Sequence, residues 1–201
     1  MQHEAFSPTP DQYPTVRSCF GLVSGPAAPA WLQKVGIVGG GMKIVTMDPR
    51  KCVACGHCEN ACAFHRSGNY DHRNSAIRVN HYPEKSACIP MTCVHCQVAW
   101  CMDGCPAAAI SRCVETDAVL IDADRCIGCK ICMLACPFGV INFDTEKLVC
   151  FKCDLCGGDP KCVQHCFPGA LEFENEEAIA LGNRNHHDNR LIAMFGRENH
   201  D

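Results

Sequence analysis

The sequence is poor in the residues that build an ordinary core. It has two Trp and three Tyr in 201 residues, and its 47% hydrophobic fraction includes 20 cysteines. Without those cysteines the apolar content is modest, so something besides side-chain packing is expected to hold the chain together. No uninterrupted apolar run is long enough to span a bilayer. The opening MQHEAFSPTPDQYPTVRSCF lacks a basic n-region, an apolar h-region and a twin-arginine pair. That argues against export and points to the cytoplasm. There is no positive excess either: the formal net charge is −4, which leaves no basic footprint for nucleic acid. No nucleophile–base pattern, phosphate loop or open metal site is found, so a catalytic role is not expected. VGIVGGGMKIV (35–45) hints at a nucleotide-binding glycine loop, but that motif needs a helix after the glycines and strand-like MKIV follows. It reads as a flexible hinge.

Cysteine is what the chain has in excess. In a reducing compartment such density means metal rather than disulfides. The cysteines fall into four blocks: CVACGHCENAC (52–62), CVHCQVAWCMDGCP (93–106), CIGCKICMLACP (126–137) and CDLCGGDPKCVQHC (153–166). The third is C-x2-C-x2-C-x3-C-P, the bacterial iron–sulfur run. Three cysteines at spacings of two wrap one cubane. The fourth starts a helix, points away and can ligate a different cluster. Zinc sites use C-x2-C pairs with longer spacers and need no such third and fourth cysteine.

The first block repeats the third: VTMDPRKCVACGHCENACAF resembles LIDADRCIGCKICMLACPFG. The second block has spacings of two, four and three, and the fourth, read from Cys153, two, five and three. Read from Cys150 instead, the fourth block lacks the cysteine that should complete it. A small unit therefore recurs four times. Strand-like stretches separate the blocks at 42–48, 76–83, 109–115, 118–124, 139–151 and 170–175. A Thr116–Asp117 turn joins the third and fourth of these, and the fifth is a hairpin around Asp144–Thr145.

In this order of spacings the chain resembles the four-cluster ferredoxin subunits of molybdenum and tungsten oxidoreductases, the dimethyl sulfoxide reductase type. TCVHCQVAWCMDGCPAAAI, DADRCIGCKICMLACPFGVINFD and KCDLCGGDPKC look closest to a soluble branch. That branch serves tungsten aldehyde:ferredoxin oxidoreductases and tungsten benzoyl-coenzyme A reductases. The resemblance covers about residues 42–174. It implies an α+β fold of tandem ferredoxin-like modules, one inserted in the other, with small hairpins and short helices around two [4Fe–4S] clusters each. The outer module would comprise 42–92 and 138–174, and the inner one 93–137. Residues 1–41 would be an irregular extension and 175–201 a polar tail, helical around Asn189–Phe195.

The resemblance also implies crossed ligands. Cys52, Cys55, Cys58 and Cys166 would hold cluster 1, and Cys62, Cys153, Cys156 and Cys162 cluster 2. Cys93, Cys96, Cys101 and Cys136 would hold cluster 3, and Cys105, Cys126, Cys129 and Cys132 cluster 4. The chain would be a non-catalytic electron-transfer subunit. Its partner would be a large tungstopterin or molybdopterin subunit, with a flavin or NAD subunit or a soluble ferredoxin beyond it. The alternative partner is a hydrogenase, formate dehydrogenase or carbon monoxide dehydrogenase.

The sequence departs from the pattern in two places. Ala63, not proline, follows Cys62, and Phe167 separates Cys166 from Pro168, so a differently shaped corner is expected there. Cys19, Cys88, Cys113 and Cys150 are left over. Cys19 lies in the irregular flank, Cys88 in a connector, and Cys113 and Cys150 read as small buried hydrophobes in strands. His57, His95 and His165 lie inside blocks, as non-ligands beside the clusters. Lys51, Arg125, Lys130 and Lys152 are placed to raise cluster potentials or to meet a redox partner.

Overall fold

Cysteine loops interrupt every apolar run of this chain, so its strands are short and come in pairs. The computed structural model describes residues 42–195. The expected irregular extension 1–41, with Cys19 and the hinge glycines, lies outside the described residues. Among the described residues four two-stranded antiparallel sheets form. β1 (Lys43–Met47) pairs with β8 (Leu171–Asn175), with Val45 opposite Phe173. The start and end of the cysteine-rich region therefore meet, and Val45 (0% exposed) and Leu171 (3%) go into the core. β4 (Ile110–Arg112) pairs with β5 (Val119–Ile121), and β6 (Asn142–Asp144) with β7 (Val149–Phe151). The β6–β7 turn is closed by Asp144, whose Oδ1 accepts from the amides of Glu146 and Lys147.

One pairing was not expected. β2 (Arg78–Tyr82) finds its partner in β3 (Ala87–Met91), which contains Cys88 and Pro90. Cys88 is thus in a strand, not a connector. Proline hid it, since it cannot donate to a ladder. A two-stranded ribbon leaves each strand an edge, where proline is tolerated.

Each cysteine block carries a short helix: α1 (His57–Ser67), α2 (Trp100–Asp103), α3 (Ile131–Ala135) and α4 (Lys161–Gln164). α3 ends at Ala135, just before Cys136 and Pro137, so the fourth cysteine follows a helix instead of starting one as expected, because the helix forms over the third cysteine and the proline stops it. α1 runs past Cys62 because Ala63 stands where a proline would stop it, and it ends at Gly68. α1 packs on α4, and α2 packs on α3. Glu59 of α1 accepts the Val79 amide at 3.2 Å, which ties the helix to β2. The polar C-terminal segment is helical over far more than Asn189–Phe195. α5 spans Glu176–Phe195, and Asn175 Oδ1 accepts the Ala178 amide at its start.

The repeat is visible in the backbone. The residue before the second cysteine of every block is left-handed: Ala54 (φ 55°), His95 (φ 48°), Gly128 (φ 68°) and Leu155 (φ 57°). Each C-x2-C therefore turns sharply just before its second cysteine. At Gly128 glycine is needed twice over, because a Cβ there would overlap the Leu148 carbonyl oxygen. Gly139 (φ 63°) is also left-handed, but a Cβ there would meet nothing within 4 Å. Gly139→Ala is therefore expected to cost about 1 kcal/mol of conformational strain. Gly128→Ala should cost clearly more, read as a larger drop in thermal midpoint by circular dichroism. Equal losses would mean that Leu148 moves aside freely.

Candidate metal centre

The cysteines do not merely line the surface of a core; they make up much of it. Cys58, Cys93, Cys153 and Cys162 lie in the larger apolar cluster with Val45, Ile77, Leu120 and Leu171. Cys132 and Cys150 lie in the smaller one with Ile110, Val119 and Ile141.

The helices and loops gather these sulfurs from distant blocks. One cavity is lined by Cys52, Cys55 and Cys58 of the first block and by Cys166 of the fourth. Another is lined by Cys93, Cys96 and Cys101 of the second block and by Cys136 of the third. A third is lined by Cys126, Cys129 and Cys132 of the third block, by Cys105 of the second, and also by Cys150. Cys62, Cys153, Cys156 and Cys162 lie within one another's electrostatic reach: Cys62 and Cys153 both act on the Cys156 and Cys162 thiols. Three of the expected groups thus line a cavity each, one of them with Cys150 as a fifth cysteine, and the other group is close enough for its thiols to interact. Among the described residues no three His, Cys, Asp or Glu side chains lie close enough to hold a single metal ion.

The donor set suits iron–sulfur chemistry. Burial pushes the thiols of Cys58, Cys132, Cys153 and Cys156 up to about 12. The neighbouring charge of Glu59 adds to this at Cys58, and that of Asp154 at Cys153 and Cys156. Burial raises Cys162 as well. Such sulfurs do not ionise near neutrality unless a metal takes the proton's place. Around them, amide N–H groups already point at sulfur. Ala76 donates to Cys62 at 3.2 Å, Ala109 to Cys105 at 3.3 Å, and Cys150 to Cys126 at 3.4 Å. His95 donates to Cys93 and Leu155 to Cys153, both at 3.4 Å. Hydrogen bonds of this kind tune a cluster's potential.

The corner at Cys166 keeps the ordinary shape. Gly169 N–H donates to Cys166 O at 3.0 Å, as Gly139 N–H does to Cys136 O at 3.2 Å. The order Phe167–Pro168 in place of Pro137–Phe138 leaves this turn bond intact.

Cys150 is buried (2%), as expected of a small hydrophobe, but it also faces the cavity of Cys126 and hydrogen-bonds Cys132. Cys88 lies 3.7 Å from His81 Nδ1 and is not among the residues lining the three cysteine cavities. Cys113 is 1% exposed and disulfide-bonded, so it is more than the small buried hydrophobe expected.

The three block histidines differ. His57 meets Phe167 edge-on at 5.4 Å, joining the first block to the fourth. His165 lines the Cys52 cavity and bonds Lys161 O at 2.9 Å. His95 is fully buried and lines the Cys93 cavity. Burial, reinforced by the charge of Lys152, pushes its pKa down to about 2. It is therefore neutral. Of the four basic residues singled out, Lys51 pairs with Glu172 at 3.1 Å on the surface. Lys130 sits 3.8 Å over the Phe143 ring, and Arg125 is exposed. Of these four side chains, Lys152 alone is described against a cysteine sulfur, donating to Cys93 Sγ at 3.2 Å.

Residues 85–176 match the family described as a 4Fe-4S dicluster domain. The chain is 38% identical over 123 residues to the aliphatic sulfonate oxidoreductase, polyferredoxin-like subunit, of Pyrococcus furiosus, covering 61% of this chain and 70% of that one. It is 34% identical over 149 residues to the putative electron transport protein YsaA of Escherichia coli K12, covering 68% and 92%. The putative oxidoreductase UacF of the same organism is 34% identical over 145 residues, which is 68% of this chain. That match spans only 22% of the length of UacF. Among solved structures, the active site complex BamBC of benzoyl coenzyme A reductase aligns with 78% of this chain and 93% of that chain, at 22% identity and a TM-score of 0.39. With its iron–sulfur family match and with relatives aligned along most of their length, the chain belongs to the ferredoxin-type iron–sulfur proteins that carry a 4Fe-4S dicluster domain.

Proposed function

We propose that this protein is an electron-transfer subunit that relays single electrons through four [4Fe–4S] clusters. The observation that carries the reading is that three cavities each gather four cysteines from two separate blocks, with Cys150 a fifth in one of them. In this reading Cys52, Cys55, Cys58 and Cys166 hold the first cluster. Cys62, Cys153, Cys156 and Cys162 hold the second. Cys93, Cys96, Cys101 and Cys136 hold the third, and Cys105, Cys126, Cys129 and Cys132 the fourth. Iron–sulfur cores supply the redox chemistry. The chain supplies position, burial and hydrogen bonds.

The packing of α1 on α4 and α2 on α3 supports two modules, an inner one (93–137) inserted in an outer one (42–92 and 138–174). The β1–β8 pairing supports the closure of the outer module. α1 carries Cys58 of the first site and Cys62 of the second, about one turn apart. α3 likewise carries Cys132 of the fourth site, and Cys136 of the third follows it. The sites would therefore run in series. Cys55 and Cys129 are exposed, which makes the first and fourth sites the natural points of entry and exit.

One end would face a large tungstopterin or molybdopterin subunit of the dimethyl sulfoxide reductase type, in the cytoplasm. The other would face a flavin or NAD subunit or a soluble ferredoxin. The relative named as the polyferredoxin-like subunit of a sulfonate oxidoreductase supports a catalytic partner of this kind. Among the described residues no helix is long and apolar enough to cross a membrane.

Anaerobically purified protein is expected to hold about 16 iron and 16 sulfide per chain. Its clusters should reduce at low potential when followed by electron paramagnetic resonance. Dominant zinc, or clusters that no strong reductant reduces, would overturn the relay.

Serine variants test the crossed ligands. Cys166→Ser should perturb the cluster otherwise held by residues 52–58, and Cys105→Ser the cluster of residues 126–132. Each should lose up to about four iron. Cys150→Ser should keep its iron. If Cys150→Ser loses a cluster while Cys105→Ser does not, Cys150 is the fourth ligand at that site.

Stripping the iron with a chelator should abolish the folded circular dichroism signal, because the metal-binding loops form so much of the core. A folded apoprotein would contradict this.

A further inference from the structure

We infer that Lys152, assisted by His95, makes the site of Cys93, Cys96, Cys101 and Cys136 the most easily reduced of the four, the place where an electron rests between the two modules. This inference rests on the four-cluster reading above and adds to it an order of potentials.

Lys152 follows β7 directly and is only 3% exposed. Its Nζ donates to Cys93 Sγ at 3.2 Å and to Cys153 O at 3.3 Å. A buried ammonium is costly unless an opposite charge compensates it. A neutral thiol and a carbonyl do not; a metal-bound thiolate does. The same side chain spans the junction, since Cys93 belongs to the third site and Cys153 to the second.

His95 supplies a second donor to the same cavity. Its Nδ1 accepts the Val119 amide at 3.0 Å, so its own N–H sits on Nε2. That Nε2 is buried and has no hydrogen-bond partner among the described residues. An orphaned donor in a cysteine-lined cavity calls for an acceptor, and a sulfur of the cluster is one. Arg112 fixes the loop beside it, donating to Cys96 O at 2.6 Å and Gln97 O at 3.1 Å while pairing with Asp117.

The other sites have weaker donors. The sulfur contacts described there come from backbone amides, at Cys153 also from the Thr92 hydroxyl, and at Cys126 and Cys132 also from the Cys150 thiol. These carry no net charge. Reduction adds one negative charge to a cluster. A cation against a ligand sulfur in the low-dielectric interior favours the reduced form more than neutral dipoles do. With clusters bound, Cys93, Cys96, Cys101 and Cys136 would hold the one that Lys152 favours in its reduced form, and a single electron received from a neighbouring cluster would pass on to another. No bond or proton changes place.

The test is a redox titration of the full-length holoprotein by electron paramagnetic resonance. Cys101→Ser identifies the couple of this site as the one it removes or shifts. That couple is expected to have the highest midpoint of the four. Lys152→Met should reduce its reduced-to-oxidised ratio at a given potential at least tenfold, about 59 mV for one electron. The couple of the second site, which Lys152 meets only through the Cys153 carbonyl, should shift less, and those of the first and fourth sites should stay in place. Lys152→Gln, which keeps an N–H donor but loses the charge, should give a similar shift, and His95→Phe a smaller one in the same couple.

If Lys152→Met loses iron, Lys152→Gln and His95→Phe carry the titration. The inference is overturned if the marked couple is not the highest, or if it stays put in variants that retain full iron and sulfide. Wild-type protein that lacks four clusters would instead overturn the relay itself.

Discussion

Burial of cysteine sulfur is the constraint on which the rest of this structure depends. A thiol surrounded by Val, Ile and Ala is a poor acid, and burial holds Cys58, Cys132, Cys153 and Cys156 far above the usual thiol range. As apolar groups these sulfurs contribute to the core. As ligands they need a metal to replace the proton and amide donors to steady the charge. The left-handed residue ahead of each second cysteine, the short helices and the amide–sulfur bonds all serve that need. The polypeptide is arranged around its sulfurs more than around its aromatic or aliphatic side chains.

This accounts for strands too short to persist alone. A two-stranded ribbon of three-residue strands such as β4–β5 or β6–β7 has little stability in water. Here each ribbon leads into or out of a cysteine loop, so the same metal-binding units that carry function would anchor it. β1 and β8 bring the ends of the cysteine-rich region together, and Lys51 and Glu172 bridge the first block to that closing strand. Folding and cofactor retention are then one problem for the chain.

The electrostatics around the sites are uneven. Lys51 and Lys130 have surface partners, whereas Lys152 is buried against Cys93. A surface lysine is screened and contributes little, whereas a buried one acts through a low dielectric. Four nearly repeated units thus have unlike surroundings, and a relay built from unlike sites can have a preferred resting place for its electron.

Much of this was legible in the sequence because it is local. Spacing within a block sets which sulfurs share a loop, Asp144 closes a turn two residues away, and alternation marks β1, β2 and β8. Where one local signal opposed another, reading failed: Pro90 concealed β3, and the polar composition of 175–201 concealed most of α5. The order Phe167–Pro168 suggested a distorted corner, yet the Cys166–Gly169 bond depends on backbone geometry that both orders allow. What no spacing could decide was which side chains are buried together. Cys150 facing the Cys126 cavity, His95 with an unpartnered Nε2, and Lys152 between Cys93 and Cys153 are contacts across 24 to 59 residues of chain. The sequence determined how many sulfurs there are and how each loop presents them. Only the tertiary structure decided which charges and dipoles surround them, because burial and proximity belong to the whole packed chain.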